Sequence, residues 1–334
     1  MSKHSAGSRW LIALALGLAI LFPLVVRDDY VLHLAIFSGI SILLALSQDV
    51  VTGVAGQISV AQAAFFGVGA YTASLLTLRG GLSFWTATPI AMACAGILSM
   101  LLGAVSFRLK GVSLGVTTLA FGELTYLVFL NWTAVTRGPM GLTGIKLPSP
   151  LRLGSVTLLS FATKTDYYWL VLGLVVFVTW AVVNLVKSRW GRGLRALRLN
   201  EVAAQSMGVN TNRCKLMAFM VSEMIAGLAG SCYAHYVQFV SPDTFVFSYA
   251  ITILTMAVIG GLGTIWGPMI GAVIVTVLPE YLRVIRDYRL IMFGACVLIM
   301  MARFPQGLLP GLRLLVFRGS VWWANRTEGA VRKA

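Results

Sequence analysis

Residues 245–278 read FVFSYAITILTMAVIGGLGTIWGPMIGAVIVTVL, 34 positions without a charged side chain. As a single helix rising about 1.5 Å per residue the run would measure about 50 Å, well beyond a bilayer hydrocarbon core of about 30 Å. Its middle is Gly260-Gly261-Leu262-Gly263-Thr264-Ile265-Trp266-Gly267-Pro268. Glycines that resist helix formation and a proline without an N–H break a helix there. The run is therefore expected to form two spans, 245–261 and 264–279, joined by a tight turn.

The rest of the chain repeats the pattern. Of 334 residues, 58% are hydrophobic and 11% charged, where soluble globular chains carry about 25% charged residues. The fold class is an all-α polytopic membrane protein of about ten transmembrane helices. Further uncharged or nearly uncharged runs place the other spans at 10–26, 30–47, 57–78, 82–107, 112–131, 167–186, 216–240 and 290–302. The start, Lys3 and Arg9 before an apolar run, resembles a signal peptide, but no small-x-small cleavage site follows. A retained first helix is expected.

Charge sets the orientation. With ten spans and both termini cytoplasmic, the inner segments hold 17 basic and 3 acidic residues and the outer ones 9 and 6, with Glu123 and Glu223 inside spans. Basic residues are retained on the cytoplasmic side during insertion. One span over 245–278 would instead send the basic tail 303–334 outside. The ten-span arrangement leaves Arg283, Arg286 and Arg289 outside. The net charge of +15 thus belongs to membrane loops, and no basic-aromatic nucleic-acid motif accompanies it.

Two connections exceed turns. The outer one, 132–166, carries Arg137-Gly138-Pro139-Met140-Gly141-Leu142-Thr143-Gly144, which resists helix formation, then Arg152–Ser160, a candidate short strand or interfacial piece. The inner one, 187–215, is the most basic segment, with Lys187, Arg189, Arg192, Arg195, Arg198, Arg213 and Lys215 against Glu201. Within it Asn200 is a good N-cap, Glu201 suits the positive end of a helix, and Gly208 can take a left-handed C-terminal position. A two-turn helix Glu201–Met207 is predicted, with Ala203 and Ala204 as a small-residue face that a soluble partner's groove could approach.

Other residues carry possible chemistry at membrane depth. Gly53, Gly56, Gly67 and Gly69 with polar Gln57, Ser59 and Gln62 make an irregular entry to the third span; such residues survive there only when buried in protein or facing water. Glu123 and Glu223 are read either as a proton relay or as hydrogen-bonded helix-packing groups. Gly263, Gly267 and Gly271 form a small-xxx-small series that serves either helix packing or a pore. Four scattered cysteines and three isolated histidines give no metal site. No Gly-Lys pair exists, so there is no P-loop. Neither a dinucleotide fingerprint nor a catalytic triad stands out, so no enzyme and no cofactor is expected.

In their order these blocks resemble the LivM-type permeases of branched-chain amino-acid ABC importers, over roughly residues 30–310. The blocks are Gly56-Gln57-Ile58-Ser59 with Ala64-Phe65-Phe66-Gly67-Val68-Gly69-Ala70-Tyr71; Thr118-Leu119-Ala120-Phe121-Gly122-Glu123; and Arg195-Ala196-Leu197-Arg198 with Asn200-Glu201, Ala203-Ala204 and Met207-Gly208. Gly227-Leu228-Ala229-Gly230, the 260–268 series and Pro305-Gln306-Gly307-Leu308 complete the set.

The resemblance implies a type II ABC-importer-like permease in a bacterial inner membrane. It would pair with a LivH-type second permease, two ATP-binding subunits at the cytoplasmic face and a periplasmic solute-binding protein. Arg198, Asn200, Glu201, Ala203, Ala204 and Gly208 would couple to the ATPase. Gln57, Ser59, Gln62, Tyr71, Glu123 and Glu223 are the pathway candidates, and Gly261, Gly263, Gly267, Pro268 and Gly271 the helix break and packing residues. The chain departs from the family pattern at Ala61-Gln62-Ala63, where Gly-His-Ala is usual, and at Glu223, where an apolar residue is usual. The rival reading is a self-sufficient proton- or sodium-coupled transporter using Glu123 and Glu223.

Overall fold

The computed structural model describes residues 17–23, 28–106, 109, 111–153, 156–159, 161, 163–281 and scattered positions between 294 and 311. Most of the expected first span, the last span 290–302 and the tail 303–334 therefore lie outside the described residues.

Helix α1 (Asp29–Gln48) starts at Asp28, whose carboxylate accepts the Tyr30 N–H at 2.9 Å, filling one of the orphan donors of a helix start. It runs on into a π-helical turn, Asp49–Val54, past the end expected at residue 47. Residues 55–61 are not helical, and α2 (Gln62–Leu78) begins only at Gln62, so the span expected at 57–78 lacks its first turn. Two features hold that piece out of a helix: Gly56 is left-handed at φ +70°, and the Gln48 amide donates to the Ser59 carbonyl at 3.0 Å.

Next come α3 (Phe84–Ser106), α4 (Val112–Asn131) and the single turn α5 (Thr133–Thr136). Helix α6 (Lys164–Lys187) opens on a capping box in which Thr163 and Asp166 satisfy each other's backbone donors. Helices α7 (Arg189–Leu199) and α8 (Glu201–Ser206) precede the long α9 (Thr211–Val237). The 34-residue run is divided into α10 (Phe247–Gly260) and α11 (Trp266–Tyr281). Among the described residues five helical runs are long and apolar enough to cross a bilayer: Asp29–Val54, Phe84–Ala104, Val112–Asn131, Lys164–Lys187 and Thr211–Val237. Gln62–Leu78 and Phe247–Gly260 are shorter apolar helices.

Helix α9 is the centre of the bundle, packed chiefly on α2 and α3. The crossing is close because it is glycine-lined. A Cβ on Gly69 would overlap the Gly227 backbone, one on Gly230 would overlap the Phe66 carbonyl, and one on Gly227 would sit 2.8 Å from Ala95 Cβ. Small residues that let backbones approach are what drives helix association where lipid already satisfies apolar surface.

At one end of the bundle the segment after α4 is built from short pieces. Arg137, left-handed at φ 61°, leads into one 3-10 turn, Gly138–Met140, and strand β1 (Leu142–Thr143). The candidate strand at 152–160 is instead a hairpin, β2 (Leu151–Leu153) and β3 (Val156–Leu159). Strand β1 pairs antiparallel with β4 (Phe239–Val240), Leu142 opposite Val240, and so ties this segment to the exit of α9. Helices α7 and α8 lie at the opposite end of the bundle, between the C-terminus of α6 and the N-terminus of α9.

Candidate functional site

The inner connection 187–215, read as a loop with one short helix, is helical almost throughout. Ser188 caps α7 by accepting the Gly191 N–H at 3.3 Å. Leu194 and Leu197 are buried with Val54, Ala55, Cys214 and Ala218, while Arg189, Arg192 and Arg195 face outward. The basic run is thus the solvent face of an amphipathic helix, which the arginine count masked.

Helix α8 follows at once. Asn200 Oδ1 accepts the Ala203 N–H at 3.1 Å. At the other end Gly208, at φ +80°, donates to Gln205 O at 2.9 Å and Val209 donates to Ala204 O at 3.0 Å. That pair of bonds with a left-handed glycine is a Schellman stop. The small-residue face differs from expectation: Ala203 is exposed, but Ala204 is buried against the chain itself. What α8 and its flanks present outward includes three large apolar side chains, Leu199 87%, Val202 65% and Met207 84% exposed, beside exposed Asn200, Gln205 and Ser206.

Glu201 and Lys215 also depart from their sequence reading. Lys215 is not a solvated loop charge. Its side chain is fully buried and its Nζ lies 2.9 Å from Glu201 Oε1. Glu201 therefore supports the connection from within, and the large apolar side chains that face outward here are Leu199, Val202 and Met207.

Arg198, next to last in α7, reaches back into the bundle. Its Nη1 donates to the Gly53 carbonyl, and a Cβ on Gly263 would overlap that nitrogen. Beside it Asp49, fully buried, accepts the Gly263 N–H at 2.6 Å. Asp49 escaped the sequence reading although it is the lone carboxylate between residues 30 and 56, a signal that could have marked it.

A second polar group is buried where α1, α2 and α9 meet. Gln62 Nε2 donates to Glu223 Oε1 and to Ser222 Oγ, both at 3.1 Å. Ser222 Oγ donates to the Ser47 carbonyl at 2.8 Å, Ser47 Oγ to the Ser222 carbonyl at 2.9 Å, and Ser59 Oγ to Gln62 Oε1 at 3.3 Å. Gln62, Glu223, Ser47, Ser59 and Ser222 are all fully buried. The two departures from the family pattern, Gln62 and Glu223, are thus bonded to one another. Glu223 Oε1 is hydrogen-bonded, while its Oε2 is buried without a hydrogen-bond partner among the described residues.

The remaining pathway candidates separate. Tyr71 is buried in an aromatic cluster, its ring 4.5 Å from that of Phe129 and 5.9 Å from that of Phe245. Gln57 is half-buried at the non-helical entry to α2, its Nε2 3.5 Å from the Ala55 carbonyl. Glu123 is exposed in the middle of α4, the least buried of the five long helices.

Two glycines of the series, Gly267 and Gly271, lie at close backbone contacts. A Cβ on Gly271 would overlap the Met256 carbonyl, and one on Gly267 the Gly260 carbonyl. Both glycines press α11 against α10. Gly261 (φ 111°) and Gly263 (φ 81°) make the turn, and Pro268 falls in the first turn of α11, where its missing N–H costs nothing. Among the described residues no three His, Cys, Asp or Glu side chains group to hold a metal ion.

The fold and this site together define a polytopic helical membrane protein with an apolar-faced helix at one end of its bundle. Residues 30–301 match the family described as the branched-chain amino acid transport system permease component. The chain is 36% identical over 321 residues to the high-affinity branched-chain amino acid transport system permease protein LivM of Escherichia coli K12, covering 91% of this chain and 75% of that one. It is 35% identical to the protein of the same description from Salmonella typhimurium LT2, covering 89% and 74%. It is 25% identical to a probable branched-chain amino acid transport permease protein LivM of Methanocaldococcus jannaschii, covering 66% and 68%. No solved structure matches the chain significantly. The chain belongs to this permease family. It is a multi-pass inner-membrane permease subunit of an ABC importer, not an enzyme, and ATP hydrolysis resides on a separate subunit.

Proposed function

We propose that this subunit imports branched-chain amino acids by alternating access with a LivH-type second permease. Two ATP-binding subunits dock at α8, and a periplasmic solute-binding protein delivers the solute at the opposite face. The chain crosses the membrane about ten times with both termini in the cytoplasm, which the charge tally and the divided run 245–278 support, and the resemblance to its family implies a type II ABC-importer-like arrangement.

The observation that carries the docking assignment is α8 itself. It is stopped at both ends, held from beneath by the Glu201–Lys215 ion pair, and bordered by exposed Leu199, Val202 and Met207. Apolar side chains on a short helix flanked by outward arginines suit a groove on a soluble partner. Glu123 supports the second permease. A carboxylate at mid-span costs about 2.5–3.5 kcal/mol by insertion scales, so the exposed face of α4 is covered by protein or by the water of a pathway rather than by lipid.

The test is co-purification from detergent of wild type against Val202→Arg/Met207→Arg, with mass spectrometry of the associated proteins. A second permease and P-loop ATPases on the wild type, with the ATPases alone lost from the variant, is the expected outcome. Wild type isolated without partners, yet taking up leucine in vesicles under a proton gradient, would refute the assignment.

A further inference from the structure

Three breaks in helical backbone meet beneath α7. The first is the π-helical turn Asp49–Val54, the second the non-helical stretch 55–61 leading to α2, and the third the turn between α10 and α11. Arg198 touches all three. Its aliphatic stem lies on Gly56, where a Cβ would stand 2.8 Å from Cγ, and its guanidinium reaches the Gly53 carbonyl and the Gly263 backbone. Glycine at 56 and 263 leaves the slot that the arginine fills, and glycine at 53 leaves room for the Asp49 carboxylate.

Asp49 forms the other wall. It accepts the Gly263 N–H at 2.6 Å, in the same turn that the Arg198 guanidinium reaches. Ile265 stands at φ 44°, in the left-handed region where a β-branched residue is a true outlier. Such a conformation persists only while its surroundings hold it, and the bond from Gly263 to Asp49 anchors the turn two residues before it.

The contacts of α7 with the bundle differ in kind. The cluster of Leu194, Leu197, Val54, Ala55, Cys214 and Ala218 is apolar, and apolar contact has no preferred direction. A guanidinium on a backbone carbonyl fixes both direction and distance. Movement of α8, whose N-cap lies two residues after Arg198, is therefore transmitted through Arg198 to the strained turn. Release of that turn changes how α10 and α11 meet.

We infer that Arg198 and Asp49 are positioning residues that link the docking helix Glu201–Ser206 to the α10–α11 turn and to the entry of α2. The inference rests on the docking of ATPase subunits at that helix.

The experiment uses the purified complex of the chain with its co-purifying subunits. Amide hydrogen exchange of residues 261–266 is measured with and without a non-hydrolysable ATP analogue for wild type, Arg198→Ala, Arg198→Lys and Asp49→Asn, alongside leucine uptake per ATP hydrolysed in proteoliposomes. The expected result is a nucleotide-dependent change at 261–266 in wild type that shrinks about fivefold or more in Arg198→Ala and Asp49→Asn, within the about 5–150-fold range of coupling between sites. Arg198→Lys falls between, the ATPases still co-purify, and uptake per ATP declines in the same order.

The same nucleotide response in Arg198→Ala and Asp49→Asn as in wild type would overturn the inference. So would a wild type whose 261–266 amides ignore nucleotide. Should Arg198→Ala fail to assemble, the near-isosteric Asp49→Asn decides alone. Failure of Val202→Arg/Met207→Arg to release the ATPases would instead refute the docking assignment, which is separately visible.

Discussion

Replacing Gln62 by leucine isolates the bond on which the buried polar network turns. In the native chain its amide donates to Glu223 Oε1 and Ser222 Oγ at 3.1 Å each, among fully buried groups. Without it Glu223 Oε1 loses that donor, and a buried acceptor stripped of its partner costs about 1–3 kcal/mol. Glu223→Leu leaves Gln62 Nε2 with Ser222 Oγ, so its cost is lower, about 1 kcal/mol. The double variant Gln62→Leu/Glu223→Leu removes donor and acceptor together, and such paired removal is close to neutral. The single costs sum to about 2–4 kcal/mol, so they should exceed the near-neutral double cost by about 2 kcal/mol or more, above the about 1.7 that pairs in bilayers reach. Equilibrium unfolding of the four proteins in mixed micelles measures this directly. Single costs that add to the double cost within about 0.3–0.5 kcal/mol would show that the two side chains are neighbours without mutual dependence, and the packing reading of Glu223 would fall.

Glu201→Ala strands the fully buried Lys215 ammonium and should destabilise by about 3–5 kcal/mol; Glu201→Ala/Lys215→Met should recover most of that loss in the same unfolding measurement, and equal instability of single and double variants would contradict the burial. Gly271→Ala must push α11 off the Met256 carbonyl at about 1–3 kcal/mol. The comparison is Gly173→Ala on α6, where no atom lies within 4 Å of the added methyl and helix propensity favours alanine by about 0.5–1 kcal/mol.

The short helix Glu201–Ser206 was legible in the sequence because everything that shapes it is local. Asn200 at one end and Gly208 at the other determine the start and stop by bonds to residues three to five positions away. The division of 245–278 is legible for the same reason, since length against bilayer thickness and a dense glycine-proline series need no tertiary information. The amphipathic α7 was missed because its basic residues were read as a loop charge, although Leu194 and Leu197 at helical spacing already marked a buried face. The burial of Lys215 could not be read, because its partner lies in a different helix and its own neighbours are those of a solvated loop.

By itself the sequence determined that this is a membrane-embedded helical chain, where its backbone must break, and which short segment of the inner connection is capped and stopped as a helix. These follow from transfer of apolar side chains out of water and from backbone preferences, both of which act over a few residues. Only the tertiary structure decided which polar groups meet: Gln62 with Glu223 across 161 positions, and Asp49 with Gly263 across 214. A helix that is apolar on every face gives no stripe by which to orient it. Its rotation and register in lipid are set instead by close glycine crossings and by the need of each buried polar group for a partner, and those conditions are met only when all the helices are in place.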